Sequence, residues 1–235
     1  PWLLLEAIYP EFRCEVEDLR IVGSPTIPEE LYLTNRAGFE AWDGTLAEQR
    51  ITNNTNAREN WMFNNGEVTS NNPSSSNFKE NYIRYLRPML EDGVVEYEFW
   101  HDENSEVHPA IGSQAFLLRK EGLQIHRITM LSDDQPAPLS NNASPLDPPS
   151  KPIDLKAGDW NQVRLELKGD DLTITVNGHV VGTASIKDPA HLRHIGMLHF
   201  GRTTARFRNM KYRGEWPKTV PPVSEQMLAK PDAKE

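Results

Sequence analysis

Between residues 159 and 213, apolar and polar positions alternate in runs. Val163, Leu165 and Leu167 alternate with Arg164, Glu166 and Lys168, and Leu172, Ile174 and Val176 alternate with Thr173 and Thr175. A period of two over such lengths predicts β-strands with one buried face. Lys168-Gly169-Asp170-Asp171 separates these two runs, and Asn177-Gly178 separates the second from His179-Val180-Val181. Asn-Gly is a strong hairpin signal, because both residues tolerate the positive φ of a type I′ turn. In that register Val176 faces His179 and Ile174 faces Val181. Residues 195–201 predict one further strand. In Phe207-Arg208-Asn209-Met210-Lys211-Tyr212 a polar pair interrupts the alternation, which is how a β-bulge looks in sequence. Phe207 and Met210 are expected in the same core as the alternating residues.

Upstream, the pattern predicts a hairpin over residues 61–68 turning on Asn64-Asn65. Successive strands are expected at 82–86, 93–100, 115–119 and 123–129, and a helical turn at 45–50. Residues 69–79 read as a polar loop, and the proline-rich stretch 132–152 as a long surface excursion. Residues 16–23, Val-Glu-Asp-Leu-Arg-Ile-Val-Gly, repeat the layout of residues 207–214, with Glu17-Asp18 at the bulge position. Residues 1–30 therefore read as an outer strand segment, either of this domain or the end of a preceding repeat. Residues 31–217 form the sandwich, and 218–235 lack any period and read as a flexible tail or linker. A chain that opens at Pro1 without a leader reads as a piece of a longer protein.

Composition narrows the function. The chain has 235 residues and a net charge of −9, so binding to nucleic acid phosphates is disfavoured over the surface as a whole. A single cysteine, Cys14, excludes an internal disulfide framework. No apolar run approaches the ~20 residues of a membrane helix. Arg202, Arg206, Arg208, Lys211 and Arg213 form a basic strip that is expected to pair with the acidic excess. His191, His194 and His199 lack the spacing of a helical zinc site and read as loop and strand residues.

Two strands carry candidate chemistry. Glu96, Glu98 and Trp100 share one face, and Gln124 and His126 share another. Carboxylates accept hydroxyl hydrogen bonds, an indole offers an apolar plane to a sugar's C–H face, and a histidine can serve as acid or base near neutral pH. The acidic turn at 101–106 offers oxygen ligands for a structural calcium ion, but its spacing is not that of an EF-hand, and a solvated turn is the simpler reading. No resident cofactor is expected.

The Trp160-Asn161 strand start, the Asn177-Gly178 hairpin and the strand at 207–212 together resemble the end of a concanavalin A/laminin-G-like β-sandwich. They are most similar to domains of the 3-keto-disaccharide hydrolase family. Residues 85–99, continuing to Val107-His108-Pro109-Ala110, resemble an uncharacterised sandwich family of planctomycete bacteria. The resemblance implies an all-β fold, a two-sheet antiparallel jelly roll, in a bacterial parent; the sequence leaves open whether that parent is exported or periplasmic. It also implies that Glu98, Trp100, Arg119, Gln124 and His126 line one concave sheet. Glu98 and His126 would be the catalytic pair, with Trp100, Arg119 and Gln124 holding ligand. This chain has Trp100 where the hydrolases usually carry Arg, and Gln124 with His126 where they tend to carry a Glu/Gln pair. The preferred reading is a non-catalytic module that binds a glycan or another protein domain. The alternatives are a glycoside-processing enzyme and a purely structural domain of an envelope or assembly protein.

Overall fold

The computed structural model describes residues 28–43, 61–70, 80–128, 143–187, 192–200 and 203–216. Fifteen strands and one short helix follow in order. They are β1 (Leu31–Tyr32), α1 (Arg36–Phe39), β2 (Trp42–Asp43), β3 (Trp61–Asn64), β4 (Glu67–Ser70), β5 (Glu80–Pro88), β6 (Gly93–His101) and β7 (His108–Ile111). Then come β8 (Gln114–Arg119), β9 (Gly122–Arg127), β10 (Ala143–Pro145), β11 (Asp159–Lys168), β12 (Asp171–Val176), β13 (His179–Ser185), β14 (His194–Phe200) and β15 (Ala205–Gly214). An eight-stranded sheet runs β13-β12-β11-β6-β15-β4-β3, with β1 added on β15. A seven-stranded sheet runs β10-β9-β8-β7-β14-β5-β2. Every pairing between these strands is antiparallel, and the fold is the expected two-sheet jelly-roll sandwich.

The alternating residues meet between the sheets. Val163, Leu165, Leu167, Leu172, Ile174 and Val176 are all buried, joined by Val95, Tyr97 and Phe99 of β6 and by Phe207, Met210 and Tyr212 of β15. The opposite sheet contributes Ile83, Phe116, Leu118, Leu123, Ile195 and Met197. Phe207 and Met210 are three positions apart, which unbroken alternation would put on opposite faces, yet both reach the core because register shifts between Arg208 and Lys211 and Asn209 takes φ 54°. The bulge expected at Arg208-Asn209 is therefore present. Its proposed counterpart at Glu17-Asp18 lies outside the described residues, as do the helical turn at 45–50, the tail, His191 and Arg202.

Three details depart from expectation. The first hairpin turns on Asn65-Gly66 (φ 50° and 84°), not Asn64-Asn65, because glycine takes the second left-handed position at no steric cost. In the β12–β13 hairpin Val176 does face His179, but Ile174 faces Gly182, since a bulge leaves Val181 as an extra residue turned inward. Within the proline-rich stretch, Ala143–Pro145 pairs with β9 as an edge strand. The Asn177-Gly178 turn has φ 48° and 84° as expected, with open space around Gly178. Gly178→Ala is expected to cost about 1 kcal/mol through backbone strain alone, read as a shift in urea midpoint. No shift would mean that the left-handed turn does not persist in solution.

Among the described residues no helix is long and apolar enough to cross a membrane.

Candidate functional site

The five residues expected on one concave surface are divided between two sheets. Glu98 and Trp100 stand on β6 of the eight-stranded sheet, with Val95, Tyr97 and Phe99 facing the core between them. Arg119, Gln124 and His126 stand on β8 and β9 of the seven-stranded sheet, where Leu118, Leu123 and Ile125 face the core. The two groups thus lie on opposite outer faces of the sandwich. Packed sheets are ~10 Å apart before side chains are added, so Glu98 and His126 cannot act on one substrate. The reason is the connection after β6. It crosses from one sheet to the other and enters β7, a strand the sequence pattern did not predict, because Pro109 in a central strand runs against the usual rule.

The outer face of the seven-stranded sheet curls over itself. Its middle row is His126, Ala115, Ala110, Gly196 and Arg84, paired in that order across five strands. The three small residues leave room for neighbours above them. The Tyr82 ring lies directly on Gly196, where an added Cβ would come within 2.3 Å of it. Glu80 on β5 and His126 on β9 are four strand spacings apart, ~19 Å on a flat sheet. Yet Glu80 Oε1 lies 2.6 Å from His126 Nε2. Only a strongly concave face brings them together. Phe200 packs edge-on against His126 at 5.3 Å and tilted against His108 at 6.3 Å. With Tyr82, Leu117, Leu198 and Ile128 it fills the hollow, and His126 and Glu80 are 7 % and 5 % exposed. His126 is therefore a buried partner of Glu80, which the sequence reading had not singled out.

At the rim of this face, Glu106 Oε2 lies 3.4 Å from His108 Nε2 and 3.6 Å from Arg119 Nη1. Burial alone would push the Glu106 carboxyl up, but the His108 imidazole and the Arg119 guanidinium outweigh it and hold it at about 2. Arg119 is thus engaged with Glu106, while Gln124 remains half-buried on β9. Between the sheets' ends, His199 is fully buried, with Nε2 2.9 Å from Ser70 Oγ and Nδ1 3.3 Å from Thr203 Oγ1. Burial pushes this imidazole down to about 4, against the raising effect of its hydrogen bonds to Phe200 and Thr203.

The outer face of the eight-stranded sheet is open and ordered by charge. Arg208 Nε donates to Glu98 at 2.7 Å, Arg206 Nε to Glu67 at 2.6 Å, and Arg164 and Arg213 both donate to Glu96. The basic strip pairs with the acidic excess as expected. Trp160, opposite Trp100 in the β11–β6 ladder, meets it edge to face at 5.6 Å. Arg208 lies over the Trp160 ring at 3.9 Å and Arg206 over Trp100 at 4.7 Å. In such cation–π contacts the guanidinium is held over the negative face of the ring, so each indole carries an arginine on one side. Beside it a groove of about 420 Å³ is lined by Glu96, Glu98, Gln162, Arg164, Asn209 and Lys211, among others. The Trp100 indole N–H donates to Asp102 at 2.7 Å and holds that carboxyl below its usual range. Asp102 also accepts from Asn104 N at 2.8 Å, so the acidic turn is ordered by its own hydrogen bonds. Among the described residues no group of three or more His, Cys, Asp or Glu is arranged to hold a metal ion.

Comparison with solved structures finds sandwiches of low sequence identity. A glycosyl hydrolase candidate from Parabacteroides distasonis is 14 % identical, with 80 % of this chain and all of that one covered, at a TM-score of 0.47. The carbohydrate-binding module CBM66 of Bacillus subtilis is 14 % identical over 74 % of this chain and 96 % of that one, at 0.45. The exoplasmic/lumenal domain of VIP36 is 10 % identical over 85 % of this chain and 93 % of that one, at 0.49. A search of curated proteins found no match. Residues 1–61 match the family described as "Protein of unknown function (DUF1581)". Residues 74–219, more than half of the chain, match the family described as "Domain of unknown function (DUF1583_N)", and the chain belongs to that family.

Proposed function

We propose that this domain is a non-catalytic glycan-binding module whose contact surface is the outer face of the eight-stranded sheet around Trp100 and Trp160. The observation that carries the reading is the pair of half-buried indoles on the same sheet face as a groove lined by Glu98, Gln162 and Asn209. The indoles, each with an arginine stacked on one side, offer apolar ring surface to the C–H face of a sugar, and Glu98, Gln162 and Asn209 supply acceptors and donors for its hydroxyls. The glycoside-processing alternative loses its acid/base pair, because Glu98 and His126 face away from each other across the core. His126 is moreover closed in with Glu80.

The test is a glycan array followed by calorimetry on the hits, with Trp100→Ala and Trp160→Ala beside the parent. Each substitution is expected to weaken binding at least about tenfold, in line with a removed aromatic platform. Thermal unfolding of the variants controls for loss of fold. Turnover of any glycoside by the parent, abolished in His126→Ala, would restore the enzyme reading. No glycan bound by the parent would leave the structural-domain reading.

A further inference from the structure

A second surface lies at the open side of the sandwich, where β13 ends the eight-stranded sheet. Among the described residues no strand pairs with the outer edge of β13. Ile186 N donates to Asp170 O at 2.8 Å. Alternate residues of an antiparallel strand turn their backbone groups to the same side, so Ile186, Ala184 and Gly182 face β12. Thr183 and Ser185 then present N–H and C=O outward. These residues, both exposed, form one wall of a groove of about 570 Å³ between the two sheets. Ile125, Leu146 and Ala184 give it an apolar floor, and Arg127, Lys187 and Asp147 stand at its lip. The strand itself, His179–Ser185, carries no Lys, Asp, Glu or Pro, the residues that usually blunt an exposed edge.

We propose that this groove accepts an extended peptide segment of another protein, added to β13 as a further strand, with an acidic side chain at the lip. Outward backbone groups supply the ladder, and the apolar floor takes an alternate side chain. Two cations against one carboxylate give the lip a local positive surplus in a chain of net charge −9, which selects an acidic residue over a basic one. The site is separate from the Trp100–Trp160 surface, and its occupancy does not depend on glycan binding.

The probe is a fluorescein-labelled eight-residue peptide of alternating valine and aspartate, titrated with the full chain and followed by anisotropy. An alternating valine–lysine peptide is expected to bind at least about tenfold more weakly, and Arg127→Glu with Lys187→Glu to reverse that preference. N-methylation of the valine–aspartate peptide, which leaves the protein untouched, is expected to abolish binding, because it removes the ladder donors. Thr183→Pro, which deletes an outward N–H at an edge where proline is tolerated, is expected to weaken binding about tenfold or more. No binding of the acidic peptide overturns the proposal. So does binding that survives N-methylation. A concentration-dependent dimer of the chain that Thr183→Pro dissolves would also overturn it, assigning the edge to a second copy instead.

Discussion

Leu165→Ala is expected to lower the free energy of unfolding by about 2–5 kcal/mol, read from denaturant titration with an unchanged slope. Leu165 is fully buried, paired with Val95 on one side and Ile174 on the other. All three side chains point into the space between the sheets, so the alanine leaves a void that neighbours held by two ladders are poorly placed to fill. A loss below about 0.5 kcal/mol, the range of ordinary surface changes, would mean that the strand presents its other face.

The second large effect is expected in acid. Folded His199 keeps its neutral form until about pH 4, whereas the unfolded side chain takes a proton near 6.5. Between these values the unfolded chain binds more protons, so stability falls as pH falls. The contribution is complete above pH 6.5, drains through the window, and is fully lost below pH 4. The difference corresponds to about 3 kcal/mol. Glu106 acts in the next window down. It stays ionised in the fold until about pH 2, against 4.5 unfolded, so its share is present above 4.5 and lost between 4.5 and 2. Denaturation at pH 7.5, 5.5 and 4.5 should show the decline, and His199→Gln should flatten it over the first window. An equal slope in parent and variant would remove His199 as the cause.

The strands nearest the carboxyl end were legible because each rule pointed the same way there. Alternation in β11 and β12, glycine after asparagine in the turn, and a broken period at Arg208-Asn209 all agree with what the fold contains. The faces of Glu98 and His126 within their own strands were equally legible from parity. What parity cannot carry is which sheet a strand joins. That choice was made by the four residues of β7, too short and too proline-marked to register as a strand. Missing it merged two opposite surfaces into one imagined site. Glu80 escaped for a different reason, since its partner is 46 residues away and no local pattern announces a contact across five strands. Trp160 was visible only as a strand start, and its pairing with Trp100 follows from the β11–β6 register, a long-range property. The family boundaries hold a related lesson. Residues 31–43 fall in the match that ends at residue 61, yet β1 pairs with β15 and β2 with β5, so that segment completes sheets built largely from the next match.

The Glu80–His126 contact works as a clasp. It ties strands at the two sides of a curved sheet, and the hollow beneath it is already filled by rings and methyl groups. A ligand seeking that hollow would meet a door held from inside. It would bind only the fraction of molecules in which the clasp has opened and the rings have swung out. Its apparent affinity would be its intrinsic affinity scaled down by that fraction, and loosening the clasp by substitution would tighten such a ligand while weakening the fold.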